Sequence, residues 1–167
     1  MYEKWKGVHT RCAFNMIQEL IPLTRPRTLA ATLGPTILGA AFSYYAFGAA
    51  QGTGLAIFHT MLIFLAVVTA QIVANLWNEY KDFKSGLDAG QKVGNAGSIT
   101  RGVITPELII TMIKVLMFVP IIIGLYLSAT ITWYYIPVGF LCILISFLYS
   151  GGPKPISRRS EERRVGK

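Results

Sequence analysis

The residues of this chain that could do chemistry are concentrated at the end of one long apolar segment. Residues 28 to 78 contain no Asp, Glu, Lys or Arg, and five charged residues then follow within positions 79 to 88. At about 100° per residue, several polar side chains before and after this boundary share one helical face. We call this face the polar stripe, and it consists of Gln71, Asn75, Asn78, Glu79 and Asp82.

The composition of the polar stripe predicts a metal site. Carboxylate and amide oxygens that converge on one face suit a hard divalent cation such as Mg²⁺. Leu76, Trp77 and Tyr80 point elsewhere on the same helix. The simpler alternative is a helix end whose polar groups meet water and lipid headgroups, but such an end does not require five polar residues on a single stripe.

The segment that follows, residues 83–105, has the composition of an anion-binding loop. It contains five glycines, which let backbone amides approach an anion closely, and it carries Lys84, Asp88, Lys92 and Arg101. Arg can bind an anionic group through two parallel hydrogen bonds, so Arg101 is the strongest basic candidate. The alternative for Lys84 and Lys92 is that they only contribute positive charge to the cytoplasmic side of a membrane protein.

The motif Asn78-Glu79-Tyr80-x-Asp82-x-x-x-Gly86-x-Asp88 resembles the first aspartate-rich motif of the UbiA superfamily of intramembrane aromatic prenyltransferases. It is most similar to the 1,4-dihydroxy-2-naphthoate polyprenyltransferase branch. Further family segments match Arg25-Pro26-x-Thr28, the run from Arg101 to Thr105, and Tyr149-x-Gly151-Gly152-Pro153. One departure is Glu79, which stands where the family usually has Asp and whose extra methylene moves the carboxylate oxygens.

The resemblance implies a function and a set of site residues. The full-length protein would transfer a polyprenyl group from its diphosphate to 1,4-dihydroxy-2-naphthoate in menaquinone biosynthesis, with Mg²⁺ as cofactor. The implied metal ligands are Asn78, Glu79, Asp82 and Asp88, of which Asn78 and Asp82 are also the catalytic candidates. The implied diphosphate-binding residues are Arg101, Lys92 and Asn75.

Two alternatives to this function remain open. Within the family, the acceptor could be a different aromatic compound such as 4-hydroxybenzoate or homogentisate, although Gly86 between Asp82 and Asp88 favours the naphthoate branch. From another class, the chain could be a piece of a membrane transporter or channel with the acidic stripe as a cation path. The acids share their loop with Lys and Arg, which suits an anionic ligand with a bridging metal better.

The composition of the whole chain indicates a membrane protein. It has 167 residues, of which 53% are hydrophobic and 14% charged, and its mean hydropathy is +0.49. The net charge is +8, and the basic residues lie beside apolar spans, which indicates positive-inside topology rather than nucleic-acid binding. We expect an all-α, polytopic bundle in the lipid bilayer. Its four transmembrane helices are predicted at residues 28–47, 55–82, 106–127 and 133–149, with kinks at Pro35 and Pro120.

The charged segments predict the organisation of the chain. Residues 1–27 form a basic cytoplasmic or interfacial segment in which Arg25 and Arg27 anchor to headgroups, and residues 28–150 form the membrane domain. The loops 48–54 and 130–132 carry no charge, so both termini and the loop 83–105 are expected in the cytoplasm, with the protein in the cell membrane. His59 is expected to be an interfacial residue.

Residues 151–167 form the predicted C-terminal tail. Its last part, 159–167, resembles the translation of a sequencing adapter, so we expect it not to be native and the natural reading frame to be cut near Arg158. The chain would then hold four helices of a nine-helix family fold and lack the second acidic motif. Its partners would include the missing C-terminal helices, and without them we expect no activity.

Overall fold

The computed structural model of this chain describes residues 20–86, 98–100 and 102–151, all of which are helical or lie in turns and connections. Helix α1 spans Pro26–Gln51, α2 spans Thr53–Ser85, α3 spans Pro106–Thr130 and α4 spans Tyr135–Gly151. Residues 20–24 are also helical, and no strand occurs within the described ranges. The predicted all-α fold class is therefore confirmed.

The connections before and after α2 are shorter than the sequence suggested. The predicted loop 48–54 is wrong, because α1 continues to Gln51, α2 begins at Thr53, and Gly52 alone separates them. The run before Gly52 is Gly-Ala-Ala-Gln, and its alanines favour helix, whereas Gly52 has a φ of 76° that glycine tolerates without strain. Helix α2 likewise extends to Ser85, where the N–H of Gly86 donates to the carbonyl of Phe83 at 3.1 Å.

The start of α3 is the one predicted from Thr105-Pro106-Glu107. The Thr105 hydroxyl accepts a hydrogen bond from the N–H of Leu108 at 3.3 Å, and Pro106 and Glu107 occupy the first turn. The helix ends at Thr130, so residues 131–134, rather than 130–132, connect it to α4. Pro35 and Pro120 lie inside α1 and α3, which continue on both sides of each ring, and the kinks stay predictions.

Two helices in the described part of the chain are long and apolar enough to cross a membrane. They are Gly54–Ser85, with a hydropathy of 2.1, and Pro106–Thr130, with 2.6. Tyr135–Tyr149 in α4 is a shorter apolar stretch. Length and composition therefore support a membrane location, whereas four spans and the cytoplasmic position of both termini remain predictions.

Helix α2 organises the packing, because it contacts each of the three other helices. The buried core lies at its C-terminal end and comprises Leu23, Val73, Leu76, Ile99, Ile104, Ile109 and Ile113. Elsewhere large apolar side chains are exposed, including Leu38 at 72%, Phe118 at 63% and Phe140 at 65%. Such exposed apolar faces fit contact with lipid, so the best-packed region of the protein is the one that surrounds the polar stripe.

Candidate functional site

The polar stripe lies on a single unbroken helix. Helix α2 is continuous from Thr53 to Ser85, so the helical spacing assumed from the sequence holds along the stripe. Asn75 and Glu79 are buried, with exposures of 3% and 2%, and Gln71, Asn78 and Asp82 are half-buried. The stripe therefore faces packed protein at its centre, which argues against a helix end that merely meets water.

The donor set of the stripe fits a hard cation. Glu79 is a fully buried carboxylate, and a buried charge needs compensation; Asn78, Glu79 and Asp82 each have an interaction partner. Within the described ranges, no group of three or more His, Cys, Asp or Glu side chains is arranged to hold a metal. Two carboxylates and an amide oxygen nevertheless suit Mg²⁺, which keeps several waters and takes one or two carboxylates together with substrate phosphates.

Asn75 makes a contact that the sequence did not reveal. Its Nδ2 donates to the carbonyl oxygen of Thr24 at 2.8 Å and to Oγ1 of Thr28 at 3.0 Å. An amide nitrogen carries two hydrogens, so one is directed at the segment before α1 and the other at the first turn of α1. Only Oδ1 remains for a ligand, and the role of Asn75 in diphosphate binding stays a prediction.

The segment that receives these bonds is a strained turn, which we call the Arg25 turn (residues 22–28). Arg25 has φ 50° and ψ 71°, and it is the only non-glycine residue with positive φ in the part of the chain that the structure describes. Its side chain is half-buried, whereas that of Arg27 is exposed. Leu23 in the same turn is 2% exposed within the core. Arg25 therefore belongs to a packed turn, and its anchoring to headgroups stays a prediction.

The end of the glycine-rich loop is also packed. Ser98 and Ile99 are fully buried and Ile104 is 1% exposed. The N–H of Gly102 donates to the carbonyl of Ile99 at 2.9 Å, and Gly102 has a φ of 75°. Asp88, Lys92 and Arg101 lie outside the described residues, so their predicted roles are not tested. Two isoleucines in an otherwise glycine-rich and polar loop were the sequence signal of this packing.

The opposite side of α2 is aromatic and packs against α4. Trp77 Nε1 donates to the carbonyl of Phe147 at 3.2 Å, and the two rings lie 4.9 Å apart. Tyr80 stacks on Trp77 at 5.9 Å, and Nζ of Lys81 lies 5.1 Å from the centre of the Trp77 ring. Lys81 is therefore held on the aromatic side of the helix, about 100° from its neighbour Asp82.

A cavity of about 1030 Å³ lies between α1 and α2, and it extends from near the stripe toward the N-terminal end of α2. It is lined by residues between Ala31 and Tyr44 of α1 and between Ala56 and Val67 of α2, together with Ile131 and Tyr135. The lining is mainly apolar and includes small residues such as Gly39 and Ala40. Its size and composition suit an apolar ligand.

His59 lines this cavity. It is 9% exposed, with Phe58 and Tyr126 at centroid distances of 5.9 and 6.1 Å, so its ring packs against other side chains, and its position at the membrane interface stays a prediction. Its Nε2 is buried without a hydrogen-bond partner, which costs about 1–3 kcal/mol. In the sequence, the signal of this buried position is a lone histidine in an uncharged apolar span.

The chain is similar to bacterial enzymes named 1,4-dihydroxy-2-naphthoate octaprenyltransferase. It is 37% identical to the one from Bacillus subtilis over 150 residues, which cover 86% of this chain and 44% of the relative. It is 31% identical to the one from Mycobacterium tuberculosis over 132 residues, covering 78% of this chain and 42% of the relative. The Escherichia coli relative is 28% identical over 141 residues, covering 78% and 42%.

The chain therefore spans less than half the length of the curated relatives it matches. No family model matches the chain. No solved structure matches it either. The similarity to these relatives confirms the resemblance that the motifs around the polar stripe suggested, because all three, and a fourth from Haemophilus influenzae, share one name.

Proposed function

We propose that this chain, a homologue of the 1,4-dihydroxy-2-naphthoate octaprenyltransferases, belongs to a membrane enzyme that transfers a polyprenyl group from its diphosphate to 1,4-dihydroxy-2-naphthoate. The observation that carries the proposal is the buried polar stripe of α2, at whose centre Glu79 is 2% exposed. The carboxylate and amide oxygens of the stripe could bind an anionic head group through a bridging Mg²⁺. The apolar helix beside the stripe suits an apolar tail.

The anionic head would lie at the stripe. Asn78, Glu79 and Asp82 would hold Mg²⁺ against the diphosphate, with Asp88 as a further ligand. The metal would supply positive charge that stabilises the leaving diphosphate. Arg101 and Lys92 would bind the remaining negative charge, Arg101 through two parallel hydrogen bonds.

These residues would lower the barrier to breaking the allylic carbon–oxygen bond. The bonding electrons would leave with the diphosphate, whose charge the basic residues and the Mg²⁺ held by the stripe would stabilise, and the prenyl carbon would become a cation. The electron-rich ring carbon that carries the carboxyl group would then form the new carbon–carbon bond. In the naphthoate case the ring regains its aromatic state by releasing its carboxyl group as carbon dioxide.

The apolar tail would lie in the cavity between α1 and α2. The lining begins at Ala31, which is about 4.5 Å along the helix axis from Thr28, the residue bonded to Asn75. The cavity thus starts within a turn of the polar stripe and continues along the apolar halves of both helices. An apolar enclosure of this kind would also keep water away from the carbocation.

A direct test is prenyl transfer by the protein expressed from its complete reading frame in membranes. With octaprenyl diphosphate, Mg²⁺ and 1,4-dihydroxy-2-naphthoate, mass spectrometry should detect the prenylated, decarboxylated product. Removing divalent cations with a chelator should stop its formation, and adding Mg²⁺ should restore it. Product from 4-hydroxybenzoate but not from the naphthoate would reject the acceptor, and no product from either would reject the function.

A further inference from the structure

The hydrogen bonds of Asn75 connect the helix of the polar stripe to the Arg25 turn. Asn75 lies one helical turn before Asn78 and Glu79, and its Nδ2 reaches both Thr24 and Thr28. The Thr28 hydroxyl in turn donates to the carbonyl of Arg25 at 2.9 Å. The side chain from α2 is thus connected through Thr28 to the backbone of Arg25, and it also binds the carbonyl of the preceding residue.

The backbone of Arg25 needs this support. A non-glycine residue in the left-handed region costs about 1–3 kcal/mol and persists only where its surroundings fix it. Within the turn, the N–H of Arg25 donates to the carbonyl of Pro22 at 3.0 Å, and the N–H of Thr28 donates to that of Arg25 at 2.8 Å. Asn75 adds a tie from a separate helix, and it is the helix that carries the candidate metal ligands.

Arg25 is the basic residue in the middle of this turn, and its side chain is half-buried. Thr24, its neighbour in the chain, accepts a hydrogen bond from Asn75 of the polar stripe. A strained backbone therefore places a basic residue next in the chain to one that is bonded to the stripe.

We propose that Asn75 is a positioning residue: its hydrogen bonds to Thr24 and Thr28 fix the Arg25 turn, and the turn places the Arg25 guanidinium where it binds a phosphate group. This inference rests on the proposed function, because the phosphate is that of the prenyl diphosphate. The same chemistry could come from a lipid headgroup. The experiment therefore uses inorganic diphosphate with Mg²⁺ as the probe, in vesicles of neutral phosphatidylcholine.

The test is a double-mutant cycle on the protein from the complete reading frame. Arg25→Asn removes the charge, and Asn tolerates the left-handed conformation better than most residues. Asn75→Leu removes both donors at similar size. Diphosphate binding is measured as the rise of the thermal midpoint with diphosphate concentration. Each variant should need about ten times more diphosphate than the wild type for half of the maximal rise. A tenfold change is typical of the loss of one charge-assisted hydrogen bond.

The combination of the two substitutions decides the matter. If Asn75 acts through Arg25, the double variant should bind diphosphate about as weakly as either single variant. The inference would be overturned if the fold-loss of diphosphate binding in the double variant equalled the two single fold-losses multiplied together. It would also be overturned if Arg25→Asn left diphosphate binding unchanged. Unchanged binding is the result expected if Arg25 only holds a lipid phosphate, and adding phosphatidylglycerol should then raise the stability of the wild type but not that of Arg25→Asn.

A second pair of variants covers the case in which Asn75→Leu does not fold. Thr28→Val removes the acceptor of Asn75 at constant shape, and Thr28→Ser keeps it. We expect Thr28→Val to weaken diphosphate binding and Thr28→Ser to restore it. Thr69→Val is the matched control, because the buried Thr69 hydroxyl donates to the carbonyl of Leu65 within its own helix, at 2.7 Å. Equal effects of Thr28→Val and Thr69→Val would contradict the proposal.

The failure of this inference and that of the proposed function can be told apart. In one outcome, the protein binds diphosphate with the expected coupling between Arg25 and Asn75 but transfers no prenyl group. This outcome would support the positioning role of Asn75 and reject the proposed function. In the opposite outcome, the protein transfers the prenyl group, but Arg25→Asn and Asn75→Leu change neither diphosphate binding nor the KM for the prenyl diphosphate. This outcome would reject the positioning role of Asn75 and leave the proposed function intact.

Discussion

Glu79 is the most deeply buried of the charged residues that the structure describes. At 2% exposure its carboxylate has been removed from water, which is expensive unless a partner or a metal compensates it. Position 79 is also where the resemblance is imperfect, since the related motif has Asp. A buried carboxylate with one methylene more reaches further from the same helix, so it can still serve a metal that lies beyond the helix surface.

Two substitutions of Glu79 should separate the effect of its negative charge on activity from the effect of its side-chain length. Glu79→Gln keeps the size and one oxygen but removes the charge, so we expect prenyl transfer to fall by about a hundredfold, in the range of lost electrostatic stabilisation at active sites. Glu79→Asp keeps the charge and restores the related residue, so we expect it to retain most of the activity. Rates measured at saturating Mg²⁺ check this, and a Glu79→Gln variant more active than Glu79→Asp would contradict it.

Helix α2 shows how far the sequence predicts the site. The spacing of Asn75, Asn78, Glu79 and Asp82 gave the stripe, because a continuous helix has a fixed period. The contact of Asn75 with Thr24 joins residues 51 positions apart, and it follows from how α1 enters the bundle rather than from any local pattern. The predicted loop 48–54 is wrong for a local reason, because its alanines favour helix and Gly52 alone interrupts the two helices.

The packing of α4 on α2 can be tested with a pair of glycines. A Cβ on Gly151 would lie 3.0 Å from Cζ2 of Trp77 and 3.3 Å from Cε of Lys81, whereas a Cβ on Gly139 of the same helix meets nothing within 4 Å. We therefore expect Gly151→Ala to lower the thermal midpoint in detergent, because the Trp77 ring must shift. Gly139→Ala should leave it unchanged or raise it, since alanine favours helix by up to about 1 kcal/mol over glycine. Equal effects would contradict the packing.

At the scale of the whole molecule, the apolar surface exceeds the core. The buried cluster at the polar end is small, and exposed residues such as Leu38 and Phe140 line the outer faces of the helices. The sequence anticipated this balance through its hydropathy, because a chain with so few charged residues cannot cover itself with polar groups. It could not give the inter-helix cavity, which depends on the relative placement of α1 and α2.

Orientation in the membrane is a prediction of the charge distribution. Ser85 lies at the basic end of α2 and Thr130 at the uncharged end of α3. With Cys12 and Cys142 replaced, a membrane-impermeant maleimide should label Thr130→Cys in intact cells and Ser85→Cys only after permeabilisation. Labelling of Ser85→Cys in intact cells would reverse the topology and place the polar stripe outside the cytoplasm.

The central claim is that the polar stripe, rather than its neighbouring charges, holds the Mg²⁺ diphosphate. The most direct measurement compares Asp82→Ala with Lys81→Ala in the protein from the complete reading frame, by the rate of prenyl transfer. Lys81 lies over Trp77 on the other side of α2, so its loss removes a contact of about 0.5–1 kcal/mol and should change the rate less than about threefold. Asp82→Ala should reduce the rate by at least about a hundredfold. Near-normal transfer by Asp82→Ala together with loss of transfer in Lys81→Ala would show that the stripe is not the site.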